Sequence, residues 1–131
     1  LGPFIVWTDY LPAEEVSATL RAADIYVAPY RDGASKRRGA LMAALTHGLP
    51  IVTTRPRVPV ADFRDGENML LTPARDPAAL AAAVTRLADD PTLRARLAAG
   101  AAALATQFTW PAIAAATAAF FESLLRENNR V

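Results

Sequence analysis

The chain has 131 residues, a formal net charge of +1 and an apolar fraction of 53%, which fits one domain with a sizeable core. Nearly balanced charge argues against nucleic-acid binding, which needs a basic face, and the absence of cysteine excludes disulfides and thiolate metal sites. A single histidine, His47, excludes a metal site built from several histidines. No apolar run reaches the ~18 residues of a membrane-spanning helix, and no signal-peptide pattern opens the sequence.

The first half of the chain alternates short apolar runs with helical stretches. The predicted strands cover residues 3–8, 24–29, 50–54 and 69–72, and the predicted helices between them cover residues 13–23 and 35–47. The apolar runs are continuous, as expected for strands that helices cover on both faces. Because this alternation is typical of right-handed βαβ units, the sequence predicts an α/β fold with a Rossmann-like parallel sheet flanked by helices.

The second half of the chain is predicted to be helical. Asp76 and Asp90 each place a capping carboxylate before a first-turn proline, and Thr109 can cap a last helix. Apolar residues then recur at helical spacing. The predicted inner faces comprise Leu80, Val84 and Leu87, then Leu93, Leu97, Leu104 and Phe108, and finally Ile113, Thr117, Phe120, Phe121 and Leu124. Residues 1–131 therefore form one domain with a helical C-terminal part.

Three loops open at the edge of the predicted sheet where ligands of open parallel sheets bind, beyond the carboxyl ends of the strands. The first begins with Asp9, Tyr10 and Leu11, the second covers residues 30–38, and the third covers residues 55–58. The second loop is the most informative of the three because it is polar and runs into a predicted helix start.

Three consecutive cations, Lys36, Arg37 and Arg38, lie in the predicted first turn of that helix. Cations are unfavourable beside the positive end of a helix dipole, so their presence indicates an anionic partner such as a diphosphate. The alternative is a solvated basic turn in which Asp32 serves as the local counter-charge.

His47 directly precedes Gly48, which ends the predicted helix. A basic side chain at this position can satisfy terminal carbonyls of the helix. Since no second titratable partner is apparent, we predict a structural role for His47 in preference to a catalytic one.

Several phrases of the sequence occur in the order and spacing of a known family. They are V-W-T-D-Y-L-P-A-E-E-V, A-A-D-I-Y-V-A-P-Y, A-L-T-H-G-L-P-I-V-T-T, D-G-E-N-M-L-L-T-P-A-R-D-P, D-P-T-L-R-A-R-L and F-T-W-P-A-I-A. Together they resemble the C-terminal domain of the retaining glycosyltransferases of family four, which have the two-Rossmann-domain architecture called GT-B. The resemblance covers nearly the whole chain.

The resemblance implies a cytoplasmic enzyme that transfers a sugar from a nucleotide-sugar donor to an acceptor, without a cofactor or a metal-binding D-x-D motif. The donor would lie against this C-terminal half, and a separate N-terminal domain would supply the acceptor side. The family's first strands, with the arginine and lysine that grip the diphosphate, are absent from this sequence. We therefore expect the chain alone to be truncated at its N-terminus and inactive. A peripheral association of the full enzyme with a membrane stays open.

The donor-binding residues follow from the loop positions together with the resemblance, whereas no catalytic residue is assigned. The predicted donor-binding residues are Asp9, Tyr10, Leu11, Asp32, Gly33, Ser35, Lys36, Arg37, Arg38 and Gly39.

The sequence departs from the family pattern in this same region. The family has two glutamates around the donor-site helix, and their positions are occupied here by Ser35 and Ala43. Ala43 cannot make the ribose contact of the second glutamate, although Ser35 still offers a hydroxyl. The D-G-x-S-x-R-R-G form resembles a variant of the donor loop found in some members of the family. Either the missing diphosphate contacts lie upstream, or the cations of residues 36–38 partly substitute for them; the second is our hypothesis, motivated by their position at the predicted helix start.

Two readings of the function follow from this departure. The first is a donor-binding glycosyltransferase domain, and the alternative is a non-catalytic nucleotide-binding or regulatory module of the same fold. Because the upstream strands are absent, we also expect an exposed sheet edge and self-association through the sheet or the terminal helices.

Overall fold

Three short parallel strands organise the chain, which is described over residues 4–128 by a computed structural model. They are β1 (Tyr26–Ala28), β2 (Ile51–Thr54) and β3 (Leu70–Thr72), hydrogen-bonded in the order β1-β2-β3. Val27 is in register with Val52, and Val52 is in register with Leu70. Because the strands are parallel, their carboxyl ends meet at one edge of the sheet, as the sequence predicts.

Five helices and one short 3₁₀ turn complete the described residues. They are α1 (Ala13–Ala22), α2 (Gly39–Thr46), α3 (Pro77–Asp89), α4 (Pro91–Ala105), the 3₁₀ turn Thr106–Phe108 and α5 (Trp110–Asn128). The predicted caps are confirmed: a carboxylate oxygen of Asp76 accepts from the Ala79 amide at 2.9 Å, and one of Asp90 accepts from the Leu93 amide at 2.8 Å.

Helices cover both faces of the sheet, so neighbouring residues of a strand face different core clusters. Ile51 faces the cluster that includes α2 and the second half of α4, whereas Val52 faces the cluster that includes α3 and the first half of α4. The first cluster contains Ala34, Leu41, Ala44, Leu45, Leu49, Ile51, Phe63, Met69, Leu71, Ala101 and Leu104. The second contains Val52, Leu70, Leu87, Leu93 and Leu97. The prediction of strands buried on both faces is therefore confirmed for β2 and β3, whereas in β1 Val27 is 39% exposed.

Threonine hydroxyls tie the strands together at the carboxyl edge. The Thr53 hydroxyl donates to the Ala28 carbonyl at 2.8 Å, and the Thr54 hydroxyl donates to the Tyr30 carbonyl at 2.6 Å. The Thr72 hydroxyl donates to the Thr53 carbonyl at 3.2 Å. These bonds satisfy buried hydroxyls and fix where the chain leaves β1, which is where the candidate site begins.

His47 ends α2 in the structural role that the sequence predicts. Its Nδ1 lies 2.7 Å from the Ala43 carbonyl oxygen, which can only accept, so this nitrogen carries the proton and donates. Its Nε2 lies 2.8 Å from the Ser17 hydroxyl oxygen, with which it forms a hydrogen bond. His47 thereby links α1 to the end of α2, although α1 itself contributes no buried residue.

Two predicted elements differ from the structure. The strand predicted over residues 3–8 is not formed by residues 4–8, which are all exposed, whereas Pro3 lies outside the described residues. In the described residues β1 pairs only with β2, so its outer edge is unpaired and residues 4–8 form no ladder with it. An apolar run predicts a strand only where such a partner exists.

The helix predicted over residues 35–47 begins later, at Gly39. Residues 35–38 form a turn instead, in which the Arg38 amide donates to the Ser35 carbonyl at 3.2 Å. Arg38 has an extended backbone with φ −85° and ψ 95° and occupies the position directly before the helix. The three cations therefore precede α2 rather than lying within its first turn.

The last helix packs less than its sequence pattern predicts. Thr109 accepts from the Ala112 amide at 3.4 Å as the predicted cap, but none of the α5 residues is buried. The predicted inner face is open: Phe120 is 59% exposed and Phe121 is 58% exposed. The main packing contact of α5 among the described elements is with the 3₁₀ turn.

Within residues 4–128 no single helix is both long and apolar enough to cross a membrane. The pair formed by residues 91–108 and 110–128, bent by 52°, meets that requirement on length and composition only.

Candidate functional site

Gly33 brings two loops of the carboxyl edge into close contact. Its φ is +86°, and a Cβ atom placed on it would lie 2.4 Å from the Arg55 carbonyl oxygen and 2.9 Å from the Arg57 amide nitrogen. The next residue, Ala34, donates its amide to the Thr54 carbonyl at 3.0 Å. Only glycine allows this approach, so the loop after β1 is locked against the loop after β2.

An open cleft of about 860 Å³ lies between these two loops. Its walls come from residues 32–38 on one side and residues 57–62 on the other. The predicted residues that line it are Asp32, Gly33, Ser35, Lys36, Arg37 and Arg38. This position at the carboxyl edge of a parallel sheet is where ligands of such folds bind.

The remaining predicted site residues lie elsewhere. Gly39 begins α2 directly after the cleft wall. Asp9, Tyr10 and Leu11 do not line the cleft, and Tyr10 is 94% exposed. They precede α1 in the stretch that the sequence predicts to follow a strand, and without that strand nothing holds them against the sheet.

Two of the four cations in the cleft are ion-paired. Arg38 donates to both carboxylate oxygens of Asp32, at 2.5 Å and 2.6 Å, and its guanidinium lies 4.7 Å from the centre of the Tyr30 ring. Lys36 forms a salt bridge with Asp62, and its ammonium lies 5.3 Å from the centre of the Phe108 ring. These contacts brace the loop against its surroundings.

The other two cations, Arg37 and Arg57, line the cleft from its two different walls. Both are exposed, and neither has a salt bridge with a carboxylate in the part of the chain that the structure describes. Four cationic side chains and two carboxylates line the cleft, which leaves an excess of two positive charges. The cleft is therefore electrostatically suited to an anion.

The start of α2 adds a smaller contribution to the positive electrostatic potential of the cleft. No side chain caps its first turn, which also contains no acidic residue. Free amide groups at a helix start favour an anion. Because the cations precede the helix, the repulsion predicted between them and the dipole is smaller, and Asp32 and Asp62 offset part of it.

A second, more apolar cleft of about 570 Å³ opens on the other side of Tyr30. It lies between the end of β1 and the start of α3, and its walls include Arg75, whose φ is +63°. The pKa of Tyr26, the first residue of β1, is raised above its ordinary value, mainly because burial disfavours the charged phenolate and to a smaller extent because of the neighbouring Tyr30. Tyr26 is therefore neutral at physiological pH.

Comparison with known proteins gives this geometry a family. A model of the glycosyl transferases group 1 family matches residues 1–90. The chain belongs to this family. The resemblance that the sequence phrases indicate is thus confirmed, as is the fold that it implies.

Relatives of this glycosyltransferase chain support the assignment. Over 125 residues it is 33% identical to the D-inositol 3-phosphate glycosyltransferase of Streptomyces scabiei, covering 89% of the chain and 26% of that protein. Over 115 residues it is 32% identical to the phosphatidyl-myo-inositol mannosyltransferase of Mycobacterium leprae, covering 88% of the chain and 30% of that protein. The chain thus spans about a quarter to a third of the length of these relatives.

Solved structures share the fold. Sucrose-phosphate synthase from Thermosynechococcus elongatus matches with a TM-score of 0.80 at 23% identity, over 97% of this chain and 32% of that one. The C-terminal domain of a glycosyl transferase group 1 family protein from Francisella tularensis matches with a TM-score of 0.66 at 20% identity, over 79% of this chain and 51% of that one. The fold is that of the C-terminal domain of GT-B glycosyltransferases.

Sequence reasoning missed three contributors to the cleft of this glycosyltransferase domain. Arg57 belongs to the third predicted loop but was not singled out, because nothing in the sequence says that it faces residues 32–38. Asp62 pairs with Lys36, a contact between residues 26 positions apart that no local pattern in the sequence indicates. The Tyr30 ring contacts Arg38, and an aromatic residue directly after a strand was the available signal.

Proposed function

We propose that this domain binds a nucleotide-sugar donor in the cleft between residues 32–38 and residues 57–62, and that the protein transfers the sugar to an acceptor. Membership of the glycosyl transferases group 1 family supports the reaction class. The observation that carries the location is the excess of positive charge in a cleft at the carboxyl edge of the sheet.

The charge of the cleft agrees with the charge of such a donor. Its excess of two positive charges corresponds to the two negatively charged phosphates that link nucleoside and sugar. When the sugar leaves, negative charge develops on the distal phosphate. Fixed cations beside that phosphate would stabilise the transition state more than the ground state, which is what catalysis requires.

A non-catalytic, donor-binding or regulatory module is a second candidate. Ser35 and Ala43 occupy the positions where the family resemblance places glutamates, and Ser35 alone of these two lines the cleft. The two carboxylates that do line it, Asp32 and Asp62, are engaged with Arg38 and Lys36. Neither is therefore free to act as a base or a nucleophile.

The same proposal includes the remaining parts of the enzyme. The acceptor side and the catalytic groups would come from polypeptide outside residues 1–131, in an N-terminal domain, and the reaction would take place in the cytoplasm. On this view residues 1–131 alone bind donor without turnover.

Calorimetric titration of the full-length protein with UDP-, GDP- and ADP-sugars tests donor binding. We expect saturable binding of one base class, and the absence of binding across the panel would contradict the proposal. Release of free nucleotide and transfer of the sugar then separate the two candidates. Turnover identifies an enzyme, whereas tight binding without turnover identifies the non-catalytic module.

A further inference from the structure

The four cations of the cleft fall into two pairs that differ in what holds them. Lys36 and Arg38 are fixed by carboxylates and by aromatic rings. Recruiting either of them to a ligand would leave Asp62 or Asp32 without its partner. Each pair is partly exposed, so its contribution to stability is small, but the lost contact offsets part of any gain from the ligand.

Binding of a ligand by Arg37 or Arg57 breaks no salt bridge among residues 4–128. Both are exposed and line the cleft, and their charges are not neutralised by a carboxylate among residues 4–128. A guanidinium presents donors in a planar fork that matches a phosphate with two parallel hydrogen bonds. Two such forks, one on each wall, suit an anion with two phosphates better than an anion with one.

The backbone holds these two arginines in a fixed relation. Gly33 packs directly against the backbone of residues 55–57, so the loop that carries Arg37 contacts the wall that carries Arg57. The Ala34 amide bonded to the Thr54 carbonyl ties the same loop to the end of β2. These contacts set the spacing of the two walls.

We propose that Arg37 and Arg57 bind the diphosphate of the donor and determine its preference over a monophosphate, while Lys36 and Arg38 only brace the loop. This inference rests on the proposed function for the nature of the ligand, but the binding of a diphosphate anion by the two arginines stands by itself. It changes the sequence prediction, which gave this part to residues 36–38 and did not include Arg57.

The test is titration of the full-length protein with inorganic pyrophosphate, UDP, GDP, UMP and GMP. Arg37→Gln and Arg57→Gln are each expected to weaken binding of pyrophosphate and of the preferred diphosphate by about tenfold or more, the loss expected for one charge-assisted hydrogen bond. The ratio of monophosphate to diphosphate dissociation constants should fall towards one in both variants. Arg57→Lys should restore part of the affinity, because it keeps the charge and loses the fork.

Arg96→Gln is the matched control, since Arg96 is an exposed arginine of α4 outside the cleft. It removes the same charge and should leave every dissociation constant unchanged. Thermal unfolding should show all variants folded, because neither Arg37 nor Arg57 makes a salt bridge within the described part of the chain.

The outcomes separate the two proposals. If wild type binds a nucleoside diphosphate and neither arginine variant weakens it, the arginine pair is refuted and the donor-binding function stands. If wild type binds pyrophosphate through the two arginines but binds none of the nucleotides or nucleotide sugars, the pair stands and the donor-binding function fails. If wild type does not bind pyrophosphate or any diphosphate, both are refuted.

Discussion

At the scale of single residues, the least replaceable position in the site is a glycine rather than a charged residue. The cations of the cleft are partly exposed and each contributes modestly, whereas Gly33 allows the contact on which the shape of the cleft depends. Its backbone conformation is one that side chains with a Cβ rarely adopt, and the space for a Cβ is already filled by backbone atoms.

We therefore expect Gly33→Ala to destabilise the protein by about 1–3 kcal/mol and to weaken anion binding, because two walls of the cleft must separate. Chemical denaturation measures the first effect and titration the second. Gly39→Ala is the matched control for stability: a Cβ there meets nothing within 4 Å. It should raise stability by up to about 1 kcal/mol through helix propensity. Equal stabilities of the two variants would contradict the contact described for Gly33.

The residue scale also shows where sequence reasoning reaches its limit. The run of cations at residues 36–38 was recognised, because local charge patterns are visible in a sequence. Their division into paired and unpaired members was not, because Asp62 and Arg57 approach them only through the fold. Asp32, as the local counter-charge of the alternative reading, was predicted correctly: it pairs with Arg38, six residues away.

At the scale of elements, what could be predicted depended on how local the determinants are. The caps of α3 and α4 are each determined by four consecutive residues, and both predictions are confirmed. The sequence places the start of α2 four residues too early, because within the turn of residues 35–38 Lys36 pairs with Asp62, which only the fold brings near. The strand predicted over residues 3–8 is wrong for residues 4–8, because a strand forms only where its backbone hydrogen-bonds to a second strand, and the apolar run does not show whether it will.

The two capping aspartates give a prediction at this scale. Asp76→Ala and Asp90→Ala should each lower the free energy of unfolding by about 1 kcal/mol, because each leaves an amide of the first helical turn without its acceptor. Thermal unfolding measures the change. Asp89→Ala is the matched control, because Asp89 lies at the negative end of α3 and caps nothing, so its removal should be neutral or slightly stabilising. A comparable loss in all three variants would show that the caps are not the cause.

A further prediction at the scale of elements concerns the packing of α4 against the loop before β3. A Cβ on Gly100 would lie 2.1 Å from the Glu67 carbonyl oxygen, so backbone meets backbone at this point of α4. Helix propensity alone predicts that Gly100→Ala stabilises by about 1 kcal/mol. The steric conflict predicts the opposite, a loss of about 1–3 kcal/mol. The sign of the change in denaturation midpoint decides between them.

At the scale of the whole molecule, the domain is well packed where it holds the site and open where it faces away from it. Both core clusters lie between the sheet and α2, α3 and α4, and the cleft stands at the edge of that packed region. Residues 4–8, the outer edge of β1 and the apolar stripe of α5 are by contrast exposed.

The α/β order and the position of the site followed from the sequence, because they depend on strand direction. The exposure of α5 followed only in part, because periodicity shows which face is apolar and not whether anything covers it.

This exposed surface leads to the last prediction, that residues 1–131 self-associate. The α5 stripe includes Ile113, Phe120, Phe121 and Leu124, each at least 41% exposed, and it is continuous at helical spacing. Light scattering of the wild-type chain should therefore show an average mass that rises above that of the monomer as concentration increases.

Variants identify which surface is responsible. Phe120→Ser with Phe121→Ser should reduce association if α5 drives it, and Ala118→Ser with Ala119→Ser on the same helix is the matched control that should not. Val27→Lys places a charge on the outer edge of β1, where Val27 is 39% exposed, and should reduce association if strands pair across copies. Pairing of α5 helices buries side chains, whereas pairing of β1 edges uses backbone groups. Replacing the two phenylalanines should therefore leave association through β1 edges unchanged. A wild-type chain that stays monomeric at every concentration would show that this apolar surface does not drive association by itself.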